Sequence, residues 1–171
     1  ATGGAESKAG GDIVTVDQYG NFDLFFEFRI TEGANSGVKY FVTEAYPTAG
    51  SAIGLEYQIL DDQRHPDAKM GRDGNRTVAS LYDLIPAANK RFNGVGQWNA
   101  AHIVSLNGHV EHWLNGFKVL EYERDSDEYR RLVSESKYRV FPGFGEAEEG
   151  HILLQDHGDE VWFRSIKIRE L

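Results

Sequence analysis

The sequence predicts an all-β fold, either a sandwich or a barrel, in one domain that spans residues 1–171. Segments in which apolar and polar residues alternate recur at short intervals, as in strands with one buried face. Only one segment has the pattern of a helix. The length of 171 residues is enough for one domain with a substantial core. Many short strands with little helix are typical of sandwiches and barrels.

The clearest strand spans Phe22–Ile30, where every second residue from Leu24 onward is apolar and is expected to face the core. The same alternation is found in Gly37–Thr43 and Gly54–Leu60. The second half of the chain contains five more candidate strands, Trp98–Leu106, His109–Asn115, Phe117–Glu123, Gly150–Gln155 and Glu160–Arg169. The dipeptide Asn115-Gly116 is a strong hairpin-turn signal and predicts that the strands on either side of it pair.

The remaining segments connect these strands or precede them. Asp125–Ser136 predicts the helix, with an Asp or a Ser as its N-cap. Ser80–Pro86 is expected to form a short turn. Residues 61–97 form a long irregular connection, which in a compact domain is either functional or locally structured. Residues 1–12 are small, polar and rich in glycine, and predict a loose segment or a sheet edge.

Composition excludes several classes of protein. The formal net charge is −9 and the pI is about 5.1, so the basic footprint of a nucleic-acid-binding protein is missing. The chain has no cysteine, which excludes disulfides and thiolate metal sites. No segment approaches the roughly 20 apolar residues of a membrane span. Because the chain begins at Ala1 without an initiator Met, we expect it to have been trimmed, with an export signal removed.

Seven short segments, taken in order and spacing, carry a resemblance to a known family. They are Asn35–Val38, Gly54–Asp61, Ser80–Leu84, Trp98-Asn99, His112–Gly116, Ser136-Lys137 and Leu154–Gly158. Together they resemble the 3-keto-disaccharide hydrolase family of the concanavalin A-like lectin/glucanase superfamily. The resemblance runs from about Tyr19 to the C-terminus. It implies a two-sheet jelly-roll sandwich. Family domains usually begin with extra strands ahead of the position of Ala1, and this chain is expected to lack them.

The resemblance also implies a function. It points to a secreted or periplasmic bacterial enzyme that cleaves sugars oxidised at C3. A ketone at C3 acidifies the C2–H bond, so a base can remove that proton, the glycosidic oxygen can leave, and water can add back. This route needs a base, a group that holds the enolate oxygen, and an acid for the leaving group. The residues leave open whether cleavage follows this elimination or an ordinary hydrolysis.

The first candidates for these roles lie on polar strand faces. Glu56 and Gln58 are two residues apart in a strand, so their side chains point the same way. Glu56 is the predicted base and Gln58 a substrate ligand, although a solvated outer face is the commoner fate of such a pair. Glu27 and Arg29 share the same kind of face on another strand, where a surface ion pair is the structural alternative. If Glu27 and Glu56 face one groove, they could form a catalytic carboxylate pair.

Further candidates come from turns and strand ends. His157 is suited to proton transfer near neutral pH, and Gln155 lies near it in the same turn. The structural alternative is a turn in which Asp156 only caps backbone amides and His157 has no role. Lys39 and Lys137 could stabilise an enolate or bind hydroxyl groups. Additional predicted substrate ligands are Asn35, His112 and Trp98. By alternation His112 and Trp113 point to opposite faces, and a lone strand histidine is more often structural than catalytic.

No cofactor is indicated. Asp61, Asp62 and His65 cluster in one loop, but their spacing matches no recognised metal-binding motif. A structural calcium ion is an open alternative, by analogy with other concanavalin-like folds. The expected partner is a carbohydrate, and the oligomeric state is not predicted. Two rival interpretations remain, a carbohydrate-binding module of the same fold that uses exposed aromatic residues, and an interaction domain of a larger protein.

Overall fold

Two antiparallel sheets make up the fold. The structure, a computed structural model, describes residues 11–46 and 52–171. The four-stranded sheet has the order β1 (Ile13–Val14), β8 (His151–Leu154), β3 (Asn35–Thr43) and β4 (Ile53–Leu60). The five-stranded sheet has the order β7 (Phe117–Glu123), β6 (His109–Leu114), β5 (Asn99–Leu106), β2 (Phe22–Ile30) and β9 (Val161–Glu170). The predicted two-sheet sandwich is confirmed.

The core lies between the two sheets because alternate residues of each strand point inward. Along β2 every second residue from Phe22 to Ile30 is buried, and the residues between them are half exposed. Phe26 meets Tyr57 of the other sheet edge-on, with ring centroids 5.6 Å apart. The polar residues of β2 therefore lie on the outer face of the five-stranded sheet, and those of β3 and β4 lie on the outer face of the four-stranded sheet.

Helical structure is confined to short segments. Helix α1 spans Asp127–Ser134, and its N-cap Ser126 accepts a hydrogen bond from the Tyr129 amide. Turns of 3-10 helix span Pro66–Lys69 and Lys137–Val140. No helix in the described part of the chain is long and apolar enough to cross a membrane. Of the segment 1–12 that we predicted to be loose, residues 1–10 lie outside the described residues.

The long connection 61–97 is locally structured, and part of it extends the four-stranded sheet. Beside β4, the amide of Ala79 donates to the Gln58 carbonyl at 2.8 Å, and the amide of Tyr82 donates to the Glu56 carbonyl at 3.0 Å. The predicted turn at Ser80–Pro86 contains a bridge between Leu81 and Ile85. This stretch brings Tyr82 next to Glu56.

Candidate functional site

A cavity of about 560 Å³ opens on the outer face of the four-stranded sheet. Lys39 of β3 and Glu56 of β4 are cross-strand partners in its floor. Six of the predicted site residues line this cavity, namely Asn35, Lys39, Glu56, Lys137, Gln155 and His157. Tyr82 and Tyr138 complete its walls. The sheet, the connection 61–97 and the segment after α1 thus converge on one pocket.

Glu56 is the most deeply placed acid of the pocket, with only 5% of its surface exposed. Its side chain lies across Gly37 of the neighbouring strand, because a Cβ atom at Gly37 would lie 2.3 Å from Glu56 Oε1. Burial raises the pKa of Glu56 above its ordinary value, and the nearby ammonium groups of Lys39 and Lys137 only partly oppose this shift. A carboxylate in this state is suited to act as a general base.

Two ammonium groups share the pocket with Glu56. Lys39 is buried, and its Nζ donates to the Ala52 carbonyl at 2.9 Å. Lys137 Nζ lies 4.2 Å from the ring centroid of Tyr82 and 5.1 Å from that of Tyr138. Desolvation lowers the pKa of Lys137, against the attraction of the Glu56 carboxylate. Both cations can stabilise negative charge that develops on a bound substrate.

A buried ion-pair network holds the Lys137 side of the pocket. Tyr82 Oη donates to Asp67 Oδ2 at 2.7 Å. Arg76 bridges Asp67 and Asp83, with its Nε donating to Asp83 Oδ1 at 2.7 Å and its Nη1 donating to Asp67 Oδ1 at 2.9 Å. The other oxygen of Asp83 accepts the backbone amide of Lys137 at 2.8 Å. The network therefore ties the connection 61–97 to the segment that carries Lys137.

Three amide side chains lie at one end of the pocket. Gln58 Nε2 donates to Asn35 Oδ1 at 3.4 Å, and Gln58 itself lies behind the cavity wall. The Oε1 atoms of Gln58 and Gln155 are both buried and have no hydrogen-bond partner among the described residues. Buried acceptors are nearly always paired in native proteins. Gln155 lines the cavity, so its Oε1 can accept a hydrogen bond from a hydroxyl group of a ligand. Gln58 has no exposed surface and does not line the cavity, so the prediction that Gln58 binds substrate is wrong.

The rim is formed by the turn that follows β8. Asp156 Oδ1 accepts the Gly158 amide at 3.0 Å, which is the turn-capping role considered for it in the sequence. The Asp156 amide donates to Asp12 Oδ1 at 2.8 Å. His157 is exposed at the mouth of the cavity, and it interacts electrostatically with Glu56. At this position the imidazole can contact both solvent and a bound ligand.

Other predicted site residues lie elsewhere. Glu27 is on the outer face of the five-stranded sheet and forms a two-bonded ion pair with Arg164, at 2.9 and 3.0 Å. Glu27 and Glu56 therefore face opposite sides of the sandwich, and the hypothesis of a catalytic carboxylate pair is wrong. Arg29 and Trp98 lie on the same outer face as Glu27 and do not line the pocket.

His112 is in the core and is not displayed to a ligand. It has no exposed surface, and its Nδ1 lies 3.0 Å from the Ala79 carbonyl. Because a carbonyl only accepts, Nδ1 carries the proton and Nε2 accepts from Tyr40 Oη at 2.8 Å. The prediction that His112 binds substrate is wrong, since alternation placed Trp113 outside and His112 inside.

Sequence reasoning missed the two tyrosines of the pocket walls. Tyr82 belongs to a segment that predicted only a turn, and its position beside Glu56 depends on how the connection 61–97 folds back along β4. Tyr138 follows Lys137 directly, and that adjacency was the one available signal. Neither tyrosine belongs to a sequence motif that indicates sugar binding.

The acidic loop residues considered as metal ligands have partners within the protein. Asp61 accepts hydrogen bonds from the Gly33 and Gln63 amides and from Arg64. Asp62 accepts from the Val78 amide and from Lys90. These bonds fasten the loop and leave no free group of carboxylates for a calcium ion there.

Among the residues that the structure describes, a cluster on the five-stranded sheet contains side chains of types that bind metal ions. His109, Glu111 and Glu121 place ligand atoms within 4.8 Å of one another on β6 and β7. Lys118 Nζ donates to Glu111 at 3.0 Å and to Glu121 at 2.6 Å. The ammonium group therefore already supplies the positive charge for these carboxylates.

Comparison with known sequences gives two related findings. A family profile described as the 3-keto-alpha-glucoside-1,2-lyase-like domain matches residues 2–169. A 3-keto-disaccharide hydrolase from Bacteroides thetaiotaomicron is 37% identical over 188 aligned positions, which cover 99% of this chain and 65% of the relative. The chain thus spans a little under two thirds of the length of that curated relative.

Solved structures give the same picture of the fold. A Parabacteroides distasonis protein proposed to be a glycosyl hydrolase superposes with a TM-score of 0.84 at 31% identity, covering 94% of this chain and 76% of its own. A second such protein from that organism gives a TM-score of 0.75 at 29% identity, covering 95% and 85%. The carbohydrate-binding module CBM66 of Bacillus subtilis shares the fold alone, with a TM-score of 0.51 at 12% identity over 95% of this chain and 84% of its own.

Proposed function

The chain belongs to the 3-keto-alpha-glucoside-1,2-lyase-like family, and from that premise we propose that it cleaves glycosides of 3-keto sugars in the pocket around Glu56. The observation that carries this proposal is the buried Glu56 carboxyl, whose pKa is raised by burial, facing Lys39 and Lys137 in one cavity. A base next to cationic groups is what proton abstraction beside a ketone requires.

The first step is removal of the C2 proton. The ionised Glu56 carboxylate takes the proton, and the electron pair of the C2–H bond moves into a C2–C3 double bond. The C3 oxygen becomes an enolate oxygen. Lys39 and Lys137 stabilise its negative charge, which is larger in the transition state than in the bound ketone.

The second step breaks the glycosidic bond. The enolate re-forms the C3 ketone, a C1–C2 double bond forms, and the C1–O bond breaks with its electron pair leaving on the oxygen. We assign the donation of a proton to that oxygen to His157, which lines the mouth of the pocket. Addition of water, with hydroxyl to C1 and a proton to C2, then yields the free 3-keto sugar, so the net reaction is hydrolysis.

The Gln155 side chain orients the bound sugar. A ketone oxygen can only accept a hydrogen bond, so it cannot pair with the unsatisfied Oε1 of Gln155. A sugar hydroxyl group can donate to this oxygen. We therefore expect hydroxyls at the amide end of the pocket and the ketone at the lysine end, which places the C2 proton near Glu56.

The rival function is a carbohydrate-binding module without chemistry. An ionisable group inside a binding pocket is costly unless it has a role, and here Glu56 and Lys137 both have pKa values moved by burial. This observation favours the enzyme. Export of the protein from a bacterial cell stays a prediction.

An activity assay tests the proposal. The purified protein is incubated with a 3-keto glycoside and with its unoxidised parent, and sugar release is measured. We expect cleavage of the keto form alone, and we expect Glu56→Gln to lower its rate by roughly 10²- to 10⁴-fold, the usual worth of a general base. Cleavage of both sugars would point to ordinary hydrolysis, and binding without cleavage of either would favour the module.

The variant must be shown to fold. Because the pKa of Glu56 is raised in the folded state, the stability it contributes is present at low pH and is lost as the pH rises through that pKa. The neutral Glu56→Gln should therefore be at least as stable as the wild type at pH 7. Glu128→Gln, on the exposed surface of α1, is the matched control and should keep full activity.

A further inference from the structure

A second group of aromatic and cationic side chains lies on the outer face of the five-stranded sheet. Arg29 of β2 is the cross-strand partner of Trp162 of β9, and Trp98 precedes β5 on the other side of Arg29. The guanidinium carbon of Arg29 lies 4.1 Å from the ring centroid of Trp162 and 5.2 Å from that of Trp98. We call Trp98, Arg29 and Trp162 the Trp–Arg platform.

Arg29 has a charge without an acceptor. It forms no hydrogen bond or ion pair with any residue in 11–46 or 52–171, and its Nε is buried and unpartnered. Arg164, whose guanidinium carbon lies 3.9 Å from the ring centroid of Trp98, differs from Arg29 because it donates two hydrogen bonds to Glu27. An unsatisfied buried N–H destabilises a folded protein unless a ligand or water completes it.

A cavity adjoins the platform. It has a volume of about 520 Å³, lies open to solvent, and is lined by Arg29, Trp162, Thr31 and Glu32 among others. The negative charge of Glu32 is compensated, because its carboxylate pairs with Arg64 at 3.1 Å. The cavity thus joins the flat ring of Trp162 to the Arg29 cation, which has no acidic or hydrogen-bonding partner among the described residues.

A bulge in β9 adds positive charge to this face. The pairing of β2 with β9 shifts register between Phe25 and Glu27, and Ser165 has a φ of 53°. Beyond the shift, Lys167 pairs opposite Phe25 and so stays on the outer face together with Arg164. Without the extra residue, the alternation would turn Lys167 inward. Since Glu27 already pairs with Arg164, Lys167 is the cation that the bulge adds to the face that carries Arg29. Extra positive charge at this point of a chain of net charge −9 favours an anionic ligand.

We propose that the Trp–Arg platform is a second carbohydrate-binding site, specific for sugars that carry a carboxylate, such as uronic acids. The indole of Trp162 takes the apolar face of the pyranose ring, and the guanidinium of Arg29 takes the carboxylate through paired N–H donors. The platform and the Glu56 pocket lie on opposite outer faces of the sandwich. The second site is therefore independent of the proposed catalytic activity.

Nuclear magnetic resonance of the three tryptophan indole N–H groups tests this site. The full chain is titrated with methyl β-D-glucuronide, methyl β-D-glucoside and sodium acetate in separate experiments. We expect the glucuronide to shift the Trp98 and Trp162 signals and to leave Trp113 in place, since the Trp113 indole N–H is donated to Glu111 at 2.8 Å. The glucoside and acetate should each bind at least about tenfold more weakly, because each supplies only one of the two contacts.

Variants test whether glucuronide binding depends on the residues of the Trp–Arg platform. Arg29→Gln should weaken glucuronide binding by at least about tenfold. Arg91→Gln is the matched control, since Arg91 also stacks on an aromatic ring, that of Phe117 at 3.8 Å, away from the platform. Glu56→Gln should bind the glucuronide as the wild type does. If Arg29→Gln does not fold, Trp162→Ala carries the same test through the Trp98 signal.

Three results would overturn the proposal. Equal shifts with the glucoside would show that the carboxylate is not read, and equal shifts with acetate would show that the sugar ring is not read. Unchanged glucuronide binding in a folded Arg29→Gln protein, or in a folded Trp162→Ala protein, would remove the platform as the site.

Discussion

The absence of a side chain at Gly37 is what lets Glu56 lie flat across β3. An alanine Cβ there would lie 2.3 Å from Glu56 Oε1 and 2.9 Å from its Cδ, and the backbone of Gly37 is not in the left-handed region. Gly37→Ala should therefore displace the carboxylate while the strand stays intact. We expect kcat to fall roughly 100-fold, as for displacements of about 1 Å in other active sites.

The free energy of unfolding of Gly37→Ala distinguishes displacement of the Glu56 carboxylate from unfolding of the protein. A glycine-to-alanine change at a compatible backbone position alters stability by less than about 1 kcal/mol. Gly11→Ala, at a position with no atom within 4 Å of the new Cβ, is the control for both activity and urea denaturation. A Gly37→Ala protein that is folded and fully active would show that the placement of Glu56 across Gly37 is not needed.

The pH profile of the reaction should reflect the two buried ionisable groups. Glu56 must be ionised to act as a base, so activity rises with pH through a pKa that burial holds above the ordinary glutamate value. Lys137 must be protonated to hold the enolate, so activity falls through a pKa that desolvation holds below the ordinary lysine value. The profile of kcat/KM should be a bell.

Lys137→Arg identifies the alkaline limb. A guanidinium keeps its charge throughout the accessible pH range, so this limb should move upward or vanish, although the rate at neutral pH should drop roughly tenfold or more because the larger group fits less well between Tyr82 and Tyr138. Lys118→Arg, on the outer face of the other sheet, should leave the bell unchanged. An unaltered alkaline limb in Lys137→Arg would assign that limb to another group.

At this scale, the sequence indicated the polar residues of the pocket better than its walls. Lys39 and Glu56 could be predicted because strand alternation displays them away from the apolar core face. The same alternation was equally clear for Glu27, which the fold places on the opposite side of the molecule. Tyr82 depended on a tertiary contact that no local pattern reports.

At the scale of elements, Asp83 links two segments that have no regular pairing with each other. It has a φ of 62°, which Asn tolerates well, and both of its oxygens are occupied, by Arg76 and by the Lys137 amide. Asp83→Asn keeps the backbone and the size of the side chain but removes the charge opposite Arg76. We expect a stability loss of about 1–3 kcal/mol, as for other hydrogen bonds to charged groups.

The same change should reach the pocket through the Lys137 segment. We expect kcat to fall while KM changes little, because Lys137 contacts the enolate and not the ground-state hydroxyls. Urea denaturation and steady-state kinetics of Asp83→Asn are compared with those of Asp127→Asn, an exposed acid of α1. Equal losses of activity in both variants would show that the network has no positioning role.

Strand bounds were the most predictable part of the elements. β2 and β7 have the predicted limits, and the other predicted strands differ by at most two residues at either end. Side-chain alternation and the Asn115-Gly116 turn are local signals, so they appear directly in the sequence. The folding of 78–85 along β4 is held by backbone hydrogen bonds to Gln58 and Glu56, which are independent of side-chain type.

At the scale of the whole molecule, the two outer faces have different chemistry. The sequence predicts that β2 and β4 each have one buried face, but it does not predict which sheet each strand joins. Because β2 and β4 belong to different sheets, Glu27, Arg29 and Trp98 lie on the opposite side of the molecule from Glu56. The predicted site residues therefore lie on two surfaces and not in one groove. Strand order depends on long-range pairing, such as that of β2 with β9, which are more than 130 residues apart at their paired positions Arg29 and Trp162.

Between those faces, the core contains a chain of polar groups whose stability should depend on pH. The Tyr122 hydroxyl donates to Tyr40 Oη at 2.8 Å, Tyr40 donates to His112 Nε2, and His112 Nδ1 donates to Ala79. This order requires neutral His112, and burial lowers the pKa of His112 to about 4. Protonation would put an N–H on Nε2 where the chain needs an acceptor.

The sign of the effect follows from linkage. The folded pKa of His112 lies below the unfolded value of about 6.5, so the unfolded chain binds more protons between the two values and stability falls as the pH drops through this window. The loss between pH 6.5 and 4 is about 3 kcal/mol at 1.4 kcal/mol per pKa unit. That is a large part of the 5–15 kcal/mol that typically separates folded from unfolded domains.

Urea denaturation at several pH values measures how much His112 contributes to the pH dependence of the free energy of unfolding. His112→Gln cannot titrate, so its free energy of unfolding, although lower at pH 7, should decline less between pH 6.5 and 4 than that of the wild type. His109→Gln is the control of opposite sign: a hydrogen bond with Glu123 raises the pKa of His109, so its contribution is present at low pH and lost as the pH rises. Parallel wild-type and His112→Gln curves would mean that the core accepts a charged histidine, and the proton order derived for Tyr122, Tyr40 and His112 would then be wrong.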